Sequence, residues 1–488
     1  MSEKKSLVRT RFAPSPTGYM HIGNLRTALF AFLFARSQKG TFVLRIEDTD
    51  QKRYVADAVD IIYSTLKQAK IIHDEGPDIG GKFAPYIQSE RKDIYLKYAQ
   101  ELVESGKAYY CFCDKQERVY ENDEQSGYNR KCRNLSLEDA KELIKKGQKY
   151  VIRQKMPLEG KTKFNDLVYE EIEVENEMLE DQILIKGDGM PTYNFANVID
   201  DHLMEISHII RGADFLSSTP KYKLLYEAFG WQVPHFVHLP LIMGMNNDGT
   251  VSKLSKRHGA TSFQELVAQG FLSEAIINYI ALLGWNPKNE GEIFSIEELQ
   301  NIFNLAGVSK SSAIFDYNKL AWMNSLYIKE MSEQDFAKKA KGFVGELPTQ
   351  IERSWNELAA LLKSRIKTFS EVPSKIKFLL KRLPFDLNIF INKKNKTTFE
   401  SSLKSLQQIS TLLKDVEIWE IEEINRIIKK LAEDENAKIG YIMWPLRIAV
   451  SGLEITPGGA TEIMHILGKE ESLNRITLAI QRLENELK

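Results

Sequence analysis

Two short stretches of this chain carry residue types suited to phosphate chemistry. The first is Arg11 to Asn24, RFAPSPTGYMHIGN. Pro14 and Pro16 hold the backbone extended, Gly18 and Gly23 let it turn tightly, and His21 stands just ahead of an apolar segment that reads as a helix. The N-terminal amides of such a helix are open to an anion. The second is Lys253 to Arg257, KLSKR, where Lys253 and Lys256 can bracket a triphosphate. They would neutralise charge developing on the α-phosphate and the leaving pyrophosphate during in-line displacement. Either stretch alone is a weak signal, but both in this order within one α/β pattern describe a nucleotide-activating enzyme.

The elements that must position them follow from periodicity. Leu7 to Ala13 and Thr41 to Glu47 read as strands, and Leu25 to Arg36 as a helix with Leu25, Leu29, Phe32 and Phe34 available for burial. Helical patterns follow at Val55 to Ala69 and Arg91 to Ser105. This opens a doubly wound parallel sheet, whose ligands bind at the carboxyl ends of the strands. From Tyr109 to Lys186 the chain becomes charged and turn-rich, with alternating stretches at Tyr150 to Met156 and Tyr169 to Val174, and reads as an insertion. The α/β pattern resumes through Pro191 to Asp201, Glu205 to Asp214 and a helix at Thr219 to Phe229. The apolar segment Phe236 to Met245 then leads to the lysine loop. After Ala260 nearly everything reads as helix: Phe263 to Gln269, Leu272 to Leu283, Ile296 to Phe303, and amphipathic segments from Ser332 onward, many opening on Ser, Thr or Asp. A separate helical domain is expected to begin near Lys329 to Ser332.

Composition bounds the reading. At 488 residues the chain is too long for one core and divides into several domains. With 43% hydrophobic and 27% charged residues it has the make-up of a compact protein and not of a disordered one. The N-terminus MSEKKSLVRT has no apolar core of a leader, and the densest apolar run, Ala28 to Ala35, is far short of the ~18 residues of a membrane span. A cytoplasmic protein with no membrane partner is expected. The cysteines, Cys111, Cys113 and Cys132, are odd in number and clustered, which argues against a disulfide framework and leaves a reducing compartment or a metal knuckle. A net charge of -1 means that nucleic acid would be held by local basic patches. One runs from Lys363 through Arg365 and Lys381 to Lys396; on its own, such a run describes a solvated helix face.

With these motifs in view the chain resembles a class I aminoacyl-tRNA synthetase, reading HIGN (His21, Ile22, Gly23, Asn24) for HIGH and KLSKR for KMSKS. More narrowly, it is similar to the bacterial glutamyl-tRNA synthetases. RFAPSPTGYMHIGNLRTALF, FVLRIEDTD, DEGPDIGGKFAPYIQSER, PTYNFANVIDDHLMEISHIIRGAD and KLSKRHGA carry the likeness, with FDYNKLAWMN and TPGGATEIMHILGKE further on. The last histidine of HIGH varies among these enzymes, so Asn24 does not count against activity.

The resemblance implies a Rossmann-like catalytic domain of doubly wound parallel-sheet type, split by an α+β insertion and followed by all-α anticodon-binding domains. Its parts fall at 1–108 and 189–259 for the catalytic halves and 109–188 for the acceptor-end-binding insertion. A helical stem-contact region follows at 260–330 and the anticodon-binding region at 331–488. It implies that L-glutamate is activated by ATP with Mg2+ to glutamyl-adenylate and transferred to the 3' end of tRNA for glutamate, by a monomer.

Arg11, Arg211, Tyr193 and Asn197 would address the glutamate carboxylates, and Glu47, Ser15 and the Ala13 backbone its ammonium. Arg11 and Glu47 could equally form a structural ion pair. ATP would lie across Thr17, His21, Gly23, Asp214, Lys253, Leu254, Lys256 and Arg257, with His21, Lys253 and Lys256 catalytic. Arg365 would meet the anticodon, as would Arg447 with Pro445, Leu446 and Thr456 to Gly458. Some relatives hold Zn2+ through Cys-x-Cys and Cys-x-His; here Asn134, a poor zinc ligand, stands where the histidine would be, so an occupied site is not expected.

Glutaminyl-tRNA synthetases are disfavoured by APSPTG and RIEDTD. A truncated tRNA-modifying paralogue and a small-metabolite nucleotidyltransferase are disfavoured by the long helical half, and a non-catalytic RNA-binding role by retention of both lysines and both arginines.

Overall fold

A computed structural model describes residues 7–50, 55, 57–113, 128–288 and 290–488. Residues 114–127 of the expected insertion, and Ala56 in the expected helix from Val55, lie outside the described residues. The chain divides into two compact units: Met1–Val267 with Ser273–Leu320, and Ala268–Leu272 with Ala321–Lys488.

In the first unit, β1 (Arg9–Phe12) and β2 (Thr41–Leu44) pair in parallel, Arg9 opposite Thr41 and Phe12 opposite Leu44. The connection runs through α1 (Ile22–Ser37). Leu25, Leu29, Phe32 and Phe34 are buried, and so are Ala28, Phe30, Ala31 and Leu33. α1 is therefore a core helix apolar on all sides rather than an amphipathic one. Each of its buried leucines and phenylalanines contributes about 1.5–3 kcal/mol relative to exposure. The second expected strand stops at Leu44, but Ile46 still bridges to Ile87.

Helices α2 (Ala58–Gln68) and α3 (Lys92–Glu104) follow, then the insertion. Strand β3 (Ala108–Cys111), helix α4 (Leu137–Lys145), strand β4 (Val151–Gln154), the hairpin β5 (Lys161–Asp166) and β6 (Glu170–Glu175), and strand β7 (Ile183–Ile185) make it α+β. β3, β4 and β7 form an antiparallel sheet. Its Ala108, Ile152 and Leu184 share one core with Tyr95 and Leu102 of α3, Phe195 of α5 (Tyr193–Leu203) and Tyr222 of α6 (Thr219–Phe229).

Strand β5 does something the sequence does not announce: it adds to β9 (His235–Leu239), Asp166 opposite Phe236, giving the order β6-β5-β9-β8 with β8 at His208–Gly212. Ser207, just before β8, donates its backbone N–H to Arg9 O at 3.0 Å, bringing β8 beside β1. The expected run Phe236 to Met245 is split into β9 and β10 (Ile242–Met245), and β10 forms a hairpin with β11 (Val251–Lys253). β10 also pairs in parallel with β12 (Ala313–Ile314), a strand inside the stretch read as helical.

The second unit is helical, from within Tyr317–Glu330 to Lys469–Glu486. Its longer segment runs from Ala321 to Lys488. Hydroxyl caps set helix starts here: Ser332 Oγ accepts from Asp335 N at 3.1 Å and Thr398 Oγ1 from Ser401 N at 3.2 Å. Each such cap contributes about 1 kcal/mol.

Candidate functional site

The segments that leave the carboxyl ends of β1 and β2 carry many of the candidate residues. In the first of these His21 takes the N-cap position of α1, its Nδ1 accepting the Gly23 N–H at 3.0 Å. A Cβ on Gly23 would come within 3.3 Å of that nitrogen, so glycine keeps the cap open. Gly18, at φ +122, holds a conformation that side chains strain. Burial, with the charge of Lys253, lowers the His21 pKa below its usual 6.5 even though a bond to the Leu254 backbone opposes the shift. The ring is thus neutral at pH 7, with Nδ1 as acceptor and Nε2 as donor.

The two signatures are sewn together by backbone. Ile22 N donates to Thr261 O at 2.9 Å and Phe263 N to Met20 O at 3.2 Å. Leu254 is buried and its N–H bonds to Ile242 O, so the loop hangs from the start of β10. Lys253, Lys256 and Arg257 are exposed on this frame. Lys253 Nζ lies 2.8 Å from Asp214 Oδ2, and Arg257 donates to Ser252 Oγ at 2.7 Å. His258 braces the loop from within: its Nδ1 accepts from Ser255 N at 3.0 Å and its Nε2 lies 2.9 Å from Asn246 Oδ1. Sequence reading passed over His258, although a histidine directly after the basic pentapeptide was visible.

A cavity of about 100 Å³ is lined by Ser15, Pro16, Thr17, Glu47, Thr49, Asp50 and Tyr193. Beneath it lies a buried charge cluster. Arg11 Nε meets Asp201 at 3.0 Å, Arg45 meets Asp201 and Glu47 at 2.8 Å each, and Arg91 meets Asp200 at 2.7 Å. Gln88 and Tyr95 also donate to Asp200. Arg11 thus pairs with Asp201 and Glu47 with Arg45, in place of the direct Arg11 to Glu47 pair considered from the sequence. Three cations and three anions balance, which is what allows them to be buried. Burial raises the Glu47 pKa against the opposing pull of Arg45 and Arg11. Arg45, Arg91, Asp200 and Asp201 were not picked from the sequence; the signal was two adjacent acids directly following the apolar pair Val198 and Ile199.

Several polar atoms here are buried without a hydrogen bond, Asp201 Oδ2 and Gln88 Oε1 among them. Glu47 Oε2 is buried without a hydrogen bond, and so is Arg211 Nη1. Arg211 is 4% exposed, and desolvation lowers its pKa. Its other nitrogens bond only neutral groups, His238 Nε2 at 3.1 Å and Thr219 Oγ1 at 2.8 Å. Tyr193, stacked on Phe215, senses the charges of both Glu47 and Arg211, and burial raises its pKa. Asn197 is buried with its amide bonded to Tyr193 O at 2.8 Å. Ser15, Thr17 and Asn24 are exposed, Ala13 is half-buried and Pro14 is buried.

In the second unit, Arg365 is exposed just after the helix Trp355–Lys363. Arg447 is half-exposed, with a bond to Glu454 O at 3.3 Å, while Pro445, Leu446 and Thr456 are buried. Most of the basic run is exposed, with Lys375, Lys377, Lys393, Lys394 and Lys396 all open to solvent.

The sulfurs of Cys111, Cys113 and Cys132 lie within 4.8 Å of one another. Asn134 is exposed. The polar atom brought to them is instead the Tyr128 hydroxyl, 3.1 Å from Cys111 Sγ and 3.9 Å from Cys113 Sγ. The thiols are close enough to serve as three ligands of a tetrahedral site, whose Zn–S bonds of about 2.3 Å place sulfurs a little under 4 Å apart, while the Tyr128 contact to Cys111 is a hydrogen bond. Tyr128 was missed because its spacing matches no cysteine or histidine pattern.

Against known proteins, the family model for class I tRNA synthetases (E and Q), catalytic domain, matches residues 7–322, and that for an anticodon binding domain matches 331–480. The chain is 50% identical over 483 residues to the glutamate–tRNA ligase of Clostridium botulinum strain Hall, covering 98% of this chain and 99% of that protein. It is also 50% identical to that of Clostridium novyi, covering 100% of both. Among solved structures, a glutamate tRNA ligase of Elizabethkingia meningosepticum, crystallised in complex with its amino acid, aligns with a TM-score of 0.84 at 35% identity, over 98% of this chain and 99% of that one.

Proposed function

The chain belongs to the class I tRNA synthetases for glutamate and glutamine and is a glutamate–tRNA ligase, and we propose that it binds L-glutamate between Arg211 and Glu47 and ATP along the His21 and Lys253–Arg257 loops. One observation carries this reading: a buried cation and a buried anion, each with an unpartnered atom, act on the same tyrosine beside a small cavity. Glutamate has the complementary charges. Its ammonium would take Glu47 Oε2 with help from Ser15 and the Ala13 backbone. A carboxylate would take Arg211 Nη1, with Tyr193 and Asn197 alongside. Arg11 would act through the field of the buried cluster, since its own hydrogen bonds go to Asp201 and Ile210 O.

ATP enters as its Mg2+ complex beside Thr17, Gly23 and Asp214. The glutamate α-carboxylate attacks the α-phosphate in line and pyrophosphate leaves, with Lys253, Lys256, Arg257 and the His21 Nε2–H stabilising the charge that develops. The terminal ribose hydroxyl of the tRNA then attacks the acyl carbon and AMP departs. Positioning and electrostatics suffice, so no side-chain nucleophile is required.

Residues 109–188 are proposed to receive the acceptor end and 260–330 the stem, with 331–488 reading the anticodon. Arg365 is proposed to distinguish tRNA for glutamate from that for glutamine, whose anticodons differ at one base. One base contact discriminates by about 1–3 kcal/mol, so Arg365→Gln should relax the ratio of the two charging rates.

Cys111, Cys113 and Cys132 would supply three thiolates to a zinc ion. The Tyr128 phenol, however, is engaged as a hydrogen-bond partner of Cys111 and is not a usual zinc donor, so well under one metal per chain is the expected result of elemental analysis. The clustered thiols suit the cytoplasm, and a candidate site formed by residues of one chain suits a monomer, which sedimentation would test.

The decisive experiment is aminoacylation of purified tRNAs for glutamate and glutamine with labelled glutamate, comparing wild type with Arg211→Ala. Charging of the glutamate tRNA, with a raised KM for glutamate and an unchanged KM for ATP in the variant, is expected. Equal effects on both KM values would overturn the assignment of Arg211.

A further inference from the structure

We propose that His238, held by Asp166 of the inserted hairpin, is a positioning residue that aims Arg211 at the substrate carboxylate. The inference rests on the reading of Arg211 as a glutamate-binding arginine and extends it to groups that touch no substrate.

The guanidinium of Arg211 is planar, so fixing two nitrogens fixes the direction of the third. Nε is fixed by His238 Nε2 at 3.1 Å and Nη2 by Thr219 Oγ1 at 2.8 Å, which leaves Nη1 free. The Tyr222 ring, 4.5 Å from the guanidinium carbon, closes one side. Among the described residues no carboxylate forms an ion pair with Arg211. This is the useful arrangement, because a protein carboxylate in place of His238 would neutralise the arginine and compete with the substrate. A neutral imidazole holds the same N–H without cancelling the charge.

That role requires His238 Nε2 to be unprotonated, and Asp166 enforces it. Asp166 Oδ2 accepts from His238 Nδ1 at 2.6 Å and from His238 N at 3.1 Å. Its Oδ1 accepts from the backbone of Val168 and Tyr169 at 2.9 Å each. Four N–H groups leave the buried carboxylate no freedom to turn, so the proton is kept on Nδ1. Burial is the first cause lowering the His238 pKa, and the Arg211 charge adds to it against the pull of Asp166, so the ring stays neutral. Asp166 also lies at the single point where β5 pairs with β9. The inserted hairpin thus supplies the anchor for the amino-acid pocket.

The test compares Arg211→Ala, His238→Ala, His238→Gln and Asp166→Asn in aminoacylation, with KM for glutamate and ATP measured separately and thermal unfolding alongside. Arg211→Ala is expected to raise the glutamate KM by about 10- to 100-fold, the loss of one charge-assisted bond. His238→Ala and Asp166→Asn should raise it by about 10-fold with the ATP KM within about 2-fold. Asparagine at 166 either turns an N–H toward His238 Nδ1 or faces the Val168 and Tyr169 amides with one, so it cannot keep the proton in place. His238→Gln, whose side-chain oxygen can accept from Arg211 Nε, should recover most of the loss. The positioning role is overturned if Arg211→Ala raises the glutamate KM while His238→Ala and Asp166→Asn leave it unchanged. Equal movement of both KM values, or glutamine at 238 no better than alanine, also overturns it. No effect from Arg211→Ala would instead remove the carboxylate reading itself. If His238→Ala fails to fold, His238→Gln with a near wild-type KM beside a raised KM in Asp166→Asn supports the role, and both unchanged overturns it.

Discussion

Around the small cavity Arg11, Arg45, Arg91 and Arg211 are all buried, whereas in the basic loop Lys253, Lys256 and Arg257 are exposed. The difference separates two ways of using charge. Buried cations cost several kcal/mol each in desolvation and persist only in a fixed lattice of partners. Their orientation is therefore settled before any ligand arrives, which would suit selection of one small amino acid carrying two carboxylates and an ammonium. Exposed cations stay hydrated at rest and need no such lattice. They can follow a triphosphate whose charge distribution changes during the reaction.

The largest contrast should come from Arg45→Ala, which leaves Glu47 and Asp201 buried without their shared cation. A loss of about 3–5 kcal/mol is expected, read from the urea midpoint at constant slope. An unchanged midpoint would mean that the cluster does not carry stability. Lys256→Ala should do the reverse, lowering kcat by about 10²- to 10³-fold while the midpoint stays put and the glutamate KM barely moves. A destabilised protein with normal turnover would erase the distinction between the two regions.

Away from both regions, at the opposite end of β8 from Arg211, acid should weaken the fold through His208. Burial, then the charge of His235, holds His208 down to about 4 from 6.5, so the unfolded chain takes up a proton before the folded one does. Its stabilising contribution is present above pH 6.5 and is lost as pH falls toward 4. His208→Asn should flatten that part of a stability-versus-pH curve, and an identical slope would count against it. The smallest effect belongs to the exposed pair of Lys253 and Asp214. Asp214→Asn should change stability by no more than about 1 kcal/mol, and a larger loss in thermal unfolding would place the loop in the same class as the buried cluster.

Much of this was legible beforehand. Proline, glycine and histidine in Pro14 to Gly23 and the cations of Lys253 to Arg257 are local chemistry, and local chemistry survives without tertiary information. The helix at Thr219 to Phe229 was bounded as found because Pro220 opens it and Gly230, at φ +68, closes it. The hairpin of β5 and β6 was only half visible. β6 alternates, but nothing in Lys161 to Asp166 says that its last residue meets Phe236. Tyr128 was invisible for the same reason, since a phenol near three thiols is a property of chain path and not of spacing.

The reactive groups and the α/β frame that presents them follow from short-range signals, because backbone turns, apolar periodicity and capping act over a few residues. Only the tertiary structure decided which charges neutralise each other. Arg45, Asp200 and Asp201 look like any polar residues in a string, and His238 like any histidine in a strand. Burial makes an unpaired charge costly, so long-range contacts give each charged group of the cluster a partner, and Arg211 Nη1 and Glu47 Oε2, among the atoms left without one, are where a ligand of complementary charge is proposed to complete the balance.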